Sequence, residues 1–283
     1  MILPSLIDAI VDRALEEDLS GGDLTGQTCI EENATATADA VCRKNVVACG
    51  AEVFRRVFAC IDSRCVVDVL VADGTRALAR SVLWRVRGPA RVVLAGERTA
   101  LNLVQRMTGI ATLTRRYVDA LPPGSSTRIT DTRKTTPGLR VLERYAVRMG
   151  GGHNHRNDLG SAVMIKDNHI VAAGGISKAV ARARAYAPHT TRIEVEVDGL
   201  SQLEEAIAAG ADIVLLDNFS TADCARAVDR CRNLPIRPLL EASGGITLER
   251  ITELASVGVD IISVGALTHS APAADIGLDF QSS

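Results

Sequence analysis

Apolar and polar positions alternate in two different rhythms along the chain. The opening segment, "MILPSLIDAIVDRALEEDL", has apolar residues at roughly helical spacing with charges between them, which predicts an amphipathic helix. Short β-rich runs such as "VVDVLVADG" and "RVVLAG" follow, and a helical stretch, "ERTALNLVQRMTGIATLTRRYVDAL", ends this region. The pattern predicts an α+β domain with an antiparallel sheet.

The pattern changes after "PPGSS", a turn-rich linker at 122–126. Strand-like runs, "RITD", "AVMIK", "RIEVEV", "DIVLLD", "RPLLEAS" and "DIISVG", now alternate with helical segments. This alternation predicts parallel strands in a β/α barrel or an open sheet, and the barrel is favoured because no dinucleotide glycine fingerprint follows a strand. We therefore predict an N-terminal domain over 1–110 and a barrel over 111–269, with residues 270–283 packing back on the first domain.

Local signals mark several helix ends in the second region. Ser201 and Glu204 have the spacing of a capping box, and Gly210 and Gly258 follow helical segments where a C-terminal stop is expected.

Composition narrows the function classes. Lys plus Arg number 32 against 34 Asp plus Glu, and aromatics are 3%, so neither nucleic acid nor a membrane surface is an expected partner. The seven cysteines lack paired CxxC spacing, which disfavours structural zinc and a disulfide framework and favours a cytoplasmic protein. We expect neither a signal peptide nor a membrane span.

Polar groups follow the inferred strands where a barrel would carry its active site, at the carboxyl ends. Six strand ends converge on one rim in such a fold, which a solvated surface does not explain. These groups are Asp131 to Lys134, Lys166 to His169, Glu194 and Glu196, Asp217 and Asn218, Glu241 to Gly245, and Gly265.

A local cationic zone predicts an anionic ligand. The stretch 128–169 holds eight Lys or Arg and four Asp or Glu, although the whole chain is balanced. Arg133, Lys134 and Lys166 stand at inferred strand ends, and arginine forks and lysine ammonium groups bind carboxylate and phosphate. The ligand is therefore expected to carry several negative charges.

The segment "GGGHNHR", 150–156, adds glycines that let a ligand approach the backbone and donors from His153, His155 and Arg156. Metal binding by these histidines is disfavoured because no third ligand is near in sequence and the surrounding charges are positive. Anion binding and helix capping are the alternatives.

Glu194 and Glu196 lie two apart on a strand and face the same side, and Asp217 ends the next strand. Buried carboxylates need partners, so they are expected to meet a lysine, a hydroxylated ligand or Mg²⁺. Salt bridges to Lys134 or Lys166 are an equally good interpretation of each one.

Two turns after the last strands are built from small residues. "EASGGI", 241–246, and "SVGALTH", 263–269, offer backbone N–H groups that could hold a phosphate. Together these features predict a pocket for a phosphorylated sugar with a metal-bound diphosphate, next to a second anionic substrate.

The ordered segments "DTRKTTPGLR", "GGGHNHR", "IKDNHI", "EVEV", "LLDNF", "EASGGI" and "SVGALTHS" closely resemble the quinolinate phosphoribosyltransferases, the carboxylating nicotinate-nucleotide diphosphorylases. "EEDLSGGDLT" and "ERTALNLVQRMTGIAT" extend the resemblance over nearly the whole chain. It implies the type II phosphoribosyltransferase fold, an N-terminal α/β sandwich followed by an incomplete β/α barrel. It also implies a Mg²⁺-dependent homodimeric enzyme of NAD biosynthesis that acts on quinolinate and phosphoribosyl diphosphate.

The resemblance implies roles for individual residues. Quinolinate would be bound by Arg133, His155, Arg156 and Lys166, with Arg98 from the neighbouring subunit. Thr132 and Lys134 would lie at the substrates, Lys134 near the diphosphate. Glu196 and Asp217 would take ribose hydroxyls and Mg²⁺, partly through substrate, and Lys134, Lys166, Glu196 and Asp217 would form the catalytic set. The 5-phosphate would be held by Ser243, Gly244, Gly245, Gly265 and Ala266.

Asn154 and Lys166 separate this chain from a related group. A paralogue associated with molybdenum uptake shares "DTRKT" and "GGG" but departs at these two positions, so the chain resembles the quinolinate enzyme more closely. Ser161 stands where many family members have aspartate, and the departure concerns the loop over 157–161.

Two other functions remain open on the residues alone. A strand-end lysine in a barrel also suits a lyase that forms a Schiff base on Lys166. A phosphometabolite-binding protein could keep the same phosphate turns without catalysis.

Overall fold

The computed structural model describes residues 2–281, which divide into two compact units. One unit is formed by the chain up to Arg115, by Thr135–Gly151 and by the chain from Leu267 onward. The other is formed by Arg116–Lys134 and Gly152–Ala266. No helix within residues 2–281 combines the length and apolar character that crossing a membrane requires.

The elements follow one another in this order. The first part of the chain contains α1 (Pro4–Leu19), α2 (Leu24–Cys29), β1 (Thr35–Cys42), β2 (Val46–Val47), α3 (Ala51–Ile61), β3 (Val66–Val69), β4 (Arg76–Ala77), β5 (Val82–Pro89) and α4 (Ala90–Asp119). The middle part contains β6 (Arg128–Thr130), α5 (Arg140–Met149), β7 (Val163–Ile165), α6 (Asp167–Ala173), α7 (Ile176–Tyr186) and β8 (Ile193–Val197). The last part contains α8 (Leu200–Ala208), β9 (Ile213–Asp217), α9 (Thr221–Cys231), β10 (Leu239–Ser243), α10 (Leu248–Val257), β11 (Ile261–Ser263), α11 (Ala266–His269) and β12 (Ile276–Phe280).

The first unit is built on an antiparallel sheet in the order β12-β1-β5-β3, as predicted. The run "VVDVLVADG" contains β3, whereas the strand prediction for "RVVLAG" is wrong, because this run lies in the first turns of α4. Helix α3 buries Phe54 and Phe58, whose ring centroids are 5.0 Å apart, and the Phe54 ring lies 5.3 Å from that of Trp84 on β5. Burying large aromatic side chains of this kind contributes much of the core energy of a domain. The α3 face and the sheet therefore form one apolar core.

Helix α5 groups with the first unit, whereas the sequence pattern placed all of 111–269 in the barrel. Helix α5 belongs to the first unit because of its polar contacts. Arg106 on α4 donates from Nε to the fully buried Glu143 carboxylate at 3.0 Å, and Tyr145 donates to Asp73 at 2.9 Å. A buried carboxylate needs such partners, so α5 stays with the helix that supplies them.

The second unit contains a parallel sheet in the order β6-β11-β10-β9-β8-β7. Within the described residues the two outer strands, β6 and β7, are not paired with each other, so the β/α barrel is incomplete. Along β8 the buried Ile193, Val195 and Val197 alternate with Glu194 and Glu196. Because successive strand side chains point to opposite faces, the two acids share the inner face.

The predicted helix ends are only partly confirmed. Gly258 ends α10 with a left-handed φ of 93°, as predicted, and Gly210 also adopts a positive φ. The capping box at Ser201 is wrong because α8 already begins at Leu200, so that Ser201 lies in the first turn. The Gln202 side chain instead reaches back and accepts the N–H of Asp198 at 3.2 Å.

The C-terminal strand belongs to the first unit and depends on a close contact at Gly109. Strand β12 pairs with β1, with Leu278 opposite Ala40, and a Cβ added at Gly109 would lie 2.0 Å from the carbonyl oxygen of Pro272. A backbone atom cannot give way as a flexible side chain can.

We expect Gly109→Ala to destabilise the protein by about 1–3 kcal/mol, because the extra methyl group forces the segment that leads to β12 away from α4. Urea unfolding measures this change. Gly21→Ala is the control, since no atom lies within 4 Å of its added Cβ. Equal stability of the two variants would contradict the predicted contact.

Candidate active site

A cavity of about 620 Å³ lies in the second unit, at the carboxyl ends of the strands. It is large enough for small-molecule substrates. Most of the predicted site residues line it, namely Thr132, Arg133, Lys134, His155, Arg156, Lys166, Glu196, Asp217, Ser243, Gly244 and Gly245. The parallel register brings them together, because strands that are distant in sequence end at the same edge of the sheet.

The guanidinium groups of Arg133 and Arg156 form the cationic part of the cavity. Arg156 donates from Nη1 to the carbonyl oxygen of Ala162 at 3.3 Å. Burial, together with the positive charge of Arg133, lowers the pKa of Arg156. Two positive charges that repel each other in a partly buried wall favour the binding of an anion between them.

Lys166 follows β7 and forms an ion pair with Glu196 on the adjacent β8. The salt bridge was one of the two interpretations left open for Glu196. The backbone N–H of Lys166 donates to Nδ1 of His169 at 3.0 Å, at the start of α6. The cavity therefore has a cationic and an anionic side chain next to each other at the same edge. The cationic side chain can bind a carboxylate of a ligand, and the anionic side chain can bind a hydroxyl group of a ligand.

Glycine is required at the turn that follows β10. Gly244 has a φ of 89°, and a Cβ there would lie 2.2 Å from Oδ1 of Asn218. Asn218 itself has a φ of 54°, donates its N–H to the carbonyl oxygen of Ser243 at 2.9 Å, and donates from Nδ2 to Asp217 at 2.9 Å. The ends of β9 and β10 are thus tied together beside the cavity.

The strand-end Asp131 is a structural support. Its side chain is fully buried, and its two oxygens accept the N–H of His155 at 2.7 Å and the Nδ2 of Asn154 at 2.6 Å. A carboxylate that accepts two donors in a buried position gives strong charge-assisted hydrogen bonds. Asp131 therefore fixes the segment "GGGHNHR" at the rim.

His155 faces two buried carboxylates that the fold brings from β8 and β10. Its Nε2 lies 3.3 Å from Glu194 Oε2 and 3.4 Å from Glu241 Oε1. Burial lowers the pKa of His155, but hydrogen bonds and charges from the two carboxylates outweigh burial and raise it. Burial raises the pKa of Glu194, and the charge of Glu241 adds to this increase. The Nδ1 atom of His155 accepts the N–H of Arg156 at 2.7 Å, a hydrogen bond that only the singly protonated ring can make and that opposes the increase in the pKa of His155.

The sequence analysis found no third metal ligand near the histidines, whereas three ligand atoms, from His155, Glu194 and Glu241, lie within 4.8 Å of one another. Both acids were predicted to lie at strand ends, and Glu194 was expected to meet a lysine, a hydroxylated ligand or Mg²⁺, but neither was predicted to face a histidine. The period-two alternation of "IEVEV" was the available signal for Glu194. Pairing across the sheet, which brings Glu241 near it, has no signature in sequence.

Three predicted residues do not line the cavity, among the residues described. Gly265 and Ala266 lie in the turn after β11, at the start of α11. Arg98 belongs to the first unit, where it borders a different cavity with Asp18 and Asp23 and has an exposed side chain. The cavity is also lined by residues that were not predicted to be ligands, namely Met164, Leu215, Asn218, Glu241 and Ser263.

An incomplete parallel β/α barrel with a mixed-charge cavity at the carboxyl ends of its strands defines the class of β/α-barrel proteins that carry their site at this rim. The C-terminal domain model of quinolinate phosphoribosyl transferase matches residues 110–279, and the N-terminal domain model matches residues 23–108. The chain therefore belongs to the quinolinate phosphoribosyltransferase family.

Individual relatives resemble the chain over nearly its full length. It is 44% identical to a probable carboxylating nicotinate-nucleotide pyrophosphorylase of Bacillus subtilis over 93% of this chain and 89% of that one. It is 45% identical to the carboxylating nicotinate-nucleotide pyrophosphorylase of Mycobacterium leprae over 95% of each. The solved nicotinate-nucleotide pyrophosphorylase of Francisella tularensis superimposes with a TM-score of 0.93 at 39% identity, covering 99% of this chain and 98% of that chain.

We expect Asp131→Asn to destabilise the protein by about 2 kcal/mol, because the new amide group would place a donor opposite the donor of Asn154. Urea unfolding measures the change. Asp198→Asn, at an exposed position, should change stability by less than about 0.5 kcal/mol. A loss at Asp131 no greater than that of the control would show that the buried carboxylate does not support the rim.

Proposed function

We propose that this chain transfers a phosphoribosyl group from phosphoribosyl diphosphate to quinolinate with loss of CO₂. The products are nicotinate mononucleotide, CO₂ and diphosphate, and the reaction is a step of de novo NAD biosynthesis. The observation that carries the proposal is the gathering of Arg133, Arg156, Lys134 and Lys166 in one cavity, in a chain that belongs to this family throughout its length.

The cationic wall binds the two carboxylates of quinolinate. Arg133, Arg156 and Lys166 supply the charges, and His155 forms part of the same wall. The electrostatic repulsion between Arg133 and Arg156 supports this role, because a doubly negative ligand reduces that repulsion. Binding at two carboxylates also fixes the orientation of the pyridine ring, and such fixed geometry lowers a barrier by about 7–11 kcal/mol at most.

The acids at the ends of β8 and β9 bind the ribose side. Glu196 and Asp217 line the cavity and offer carboxylate oxygens, which are suitable ligands for Mg²⁺. Mg²⁺ held by these two residues would supply positive charge for the departing diphosphate. Lys134 lines the same cavity and stabilises the same developing charge.

The glycine turns hold the 5-phosphate. Ser243, Gly244 and Gly245 lie at the cavity, and the left-handed backbone of both glycines supports this role because it exposes their N–H groups. Gly265 and Ala266 complete the phosphate site from the next turn. Thr132 accepts the N–H of Lys134 at 3.1 Å, which fixes the backbone that presents Lys134.

Decarboxylation needs little from the protein once the glycosidic bond has formed. Departure of diphosphate builds positive charge on the sugar, and the ring nitrogen of quinolinate attacks it. The resulting pyridinium accepts the electron pair released as the adjacent carboxylate leaves as CO₂, and a proton then occupies that ring carbon. Cations that held the departing carboxylate too tightly would slow this step, so their contribution is mainly orientation.

The enzyme works as a homodimer in the cytoplasm. Arg98 from one subunit completes the quinolinate site of the partner, in line with its exposed position in the first unit. The cytoplasmic location is supported by the seven cysteines, all of which are free thiols.

The purified protein should release CO₂ and diphosphate when it is given quinolinate, phosphoribosyl diphosphate and Mg²⁺, and omission of either substrate should abolish both products. Turnover of nicotinate without turnover of quinolinate would overturn the proposal. Borohydride trapping of a carbonyl substrate on Lys166 would favour the lyase. Tight binding of phosphoribosyl diphosphate without any product would favour the non-catalytic alternative.

Arg98→Ala and Arg133→Ala should each reduce kcat/KM more than about tenfold, a loss above about 1.4 kcal/mol. Coexpression of the two variants should restore part of the activity, because a mixed dimer contains one site with both arginines. A matched control coexpresses Arg133→Ala with Lys134→Ala, which leaves every site defective. Equal activity of the two mixtures would rule out a site shared between subunits.

A further inference from the structure

Both ring nitrogens of His155 already have partners within the protein. Nδ1 accepts the backbone N–H of Arg156 at 2.7 Å, and Nε2 faces the carboxylates of Glu194 and Glu241. A histidine arranged in this way has no ring N–H directed at a substrate carboxylate. Its contribution to binding therefore has to pass through the groups that it holds.

The hydrogen bond to Nδ1 also determines where the ring carries its proton. A nitrogen that accepts an N–H bears no proton of its own, so the proton of the ring lies on Nε2 and is donated to the carboxylates. A metal ion would require the Nε2 lone pair. Although His155, Glu194 and Glu241 lie close enough to bind an ion, this pattern opposes a metal and favours a hydrogen-bonded cluster.

The two carboxylates are deeply buried and converge on this single donor. Glu194 and Glu241 are 3% and 1% exposed. Oε1 of Glu194 and Oε1 of Glu241 lack a hydrogen-bond partner within residues 2–281. Keeping two such groups in the core is costly unless a positive or polar group faces them. The Nε2 atom of His155 lies 3.3 Å from Glu194 and 3.4 Å from Glu241, so attraction to both carboxylates orients the imidazole ring.

The backbone of "HNHR" is consequently held from two sides. Asp131 accepts the N–H of His155 from one side, and the oriented ring of His155 accepts the N–H of Arg156 from the other. Rotation of the ring would release the second of these bonds. The direction in which the Arg156 guanidinium enters the cavity therefore depends on the two carboxylates beneath His155.

We propose that Glu194 and Glu241 are positioning residues for the dicarboxylate substrate. They orient the ring of His155, which orients Arg156, and His155 serves the site by this support. The inference rests on the proposed function, because the ligand of Arg156 is taken to be a carboxylate of quinolinate. It assigns to two acids in a cationic site a role separate from the Mg²⁺ and ribose side.

The test is steady-state kinetics of Glu194→Gln and Glu241→Gln with each substrate varied in turn. Loss of one carboxylate should raise KM for quinolinate about tenfold or more, which corresponds to about 1.4 kcal/mol of binding, because the guanidinium of Arg156 is then misdirected. KM for phosphoribosyl diphosphate and kcat should change less than about twofold. Equal increases in both KM values, or no increase for quinolinate, would overturn the proposal.

Asp212→Asn is the matched control. Asp212 accepts the N–H of Ile193 at 2.7 Å, next to Glu194 but at the opposite end of β8 from the cavity. Its loss should lower stability without changing KM for quinolinate. If this variant raised that KM as much as Glu194→Gln, the effect would be general weakening of the barrel and the proposal would fail.

Nitrogen NMR of ¹⁵N-histidine-labelled protein gives an independent result. The His155 signals, assigned by their loss in His155→Asn, should show a protonated Nε2 and an unprotonated Nδ1. A ring protonated on both nitrogens, or a shift of its signals on adding Mg²⁺ or Zn²⁺ alone, would overturn the proposed cluster. Wild-type protein that failed to turn over quinolinate would defeat the proposed function while leaving the NMR result intact.

Discussion

The parallel pairing of β7 to β10 is the constraint on which the site depends. Glu196 pairs with Leu215, Leu215 pairs with Glu241, and Ser243 pairs with Asp217 across three adjacent strands. Because side chains alternate between the faces of a strand, this register turns the polar strand-end residues inward, with Leu215 between them. A shift of one residue in any strand would turn its polar residues outward.

The register also creates an electrostatic problem that the site solves with opposite charges. Glu194, Glu196 and Glu241 all face the barrel interior, where an isolated carboxylate is poorly solvated. Lys166 forms an ion pair with Glu196, and Nε2 of His155 faces the other two carboxylates. Acidic residues thus belong to the cationic cavity, because they hold its donors in place.

Backbone geometry adds the third requirement, which is close approach at the turns. Asn218 and Gly244 meet so closely that a single added methyl group would overlap the amide oxygen. At Gly109 the same restriction applies in the other unit, where the carbonyl of Pro272 occupies the space of a side chain. Glycine is needed at these positions for the absence of its Cβ, and the positive φ at Gly244 is a second reason.

The sequence by itself determined the fold class, the strand ends that carry chemistry and the cationic character of the site. These follow from local periodicity and residue type, which any short window of the chain contains. Ser201 shows the limit of local signals. Helix α8 begins one residue before it, and the side chain of Gln202, not that of Ser201, accepts a backbone N–H at this end of the helix.

Only the tertiary structure decided which partners the charged groups take. The hydrogen bond between Arg106 and Glu143 connects α5 to the first unit. Glu194 and Glu241 both lie close to His155, although the three residues are far apart in the chain. The physical reason is that a buried charge is stabilised by whatever donor the fold brings within a few ångströms. That distance depends on strand register and helix packing, which no local pattern of residues specifies.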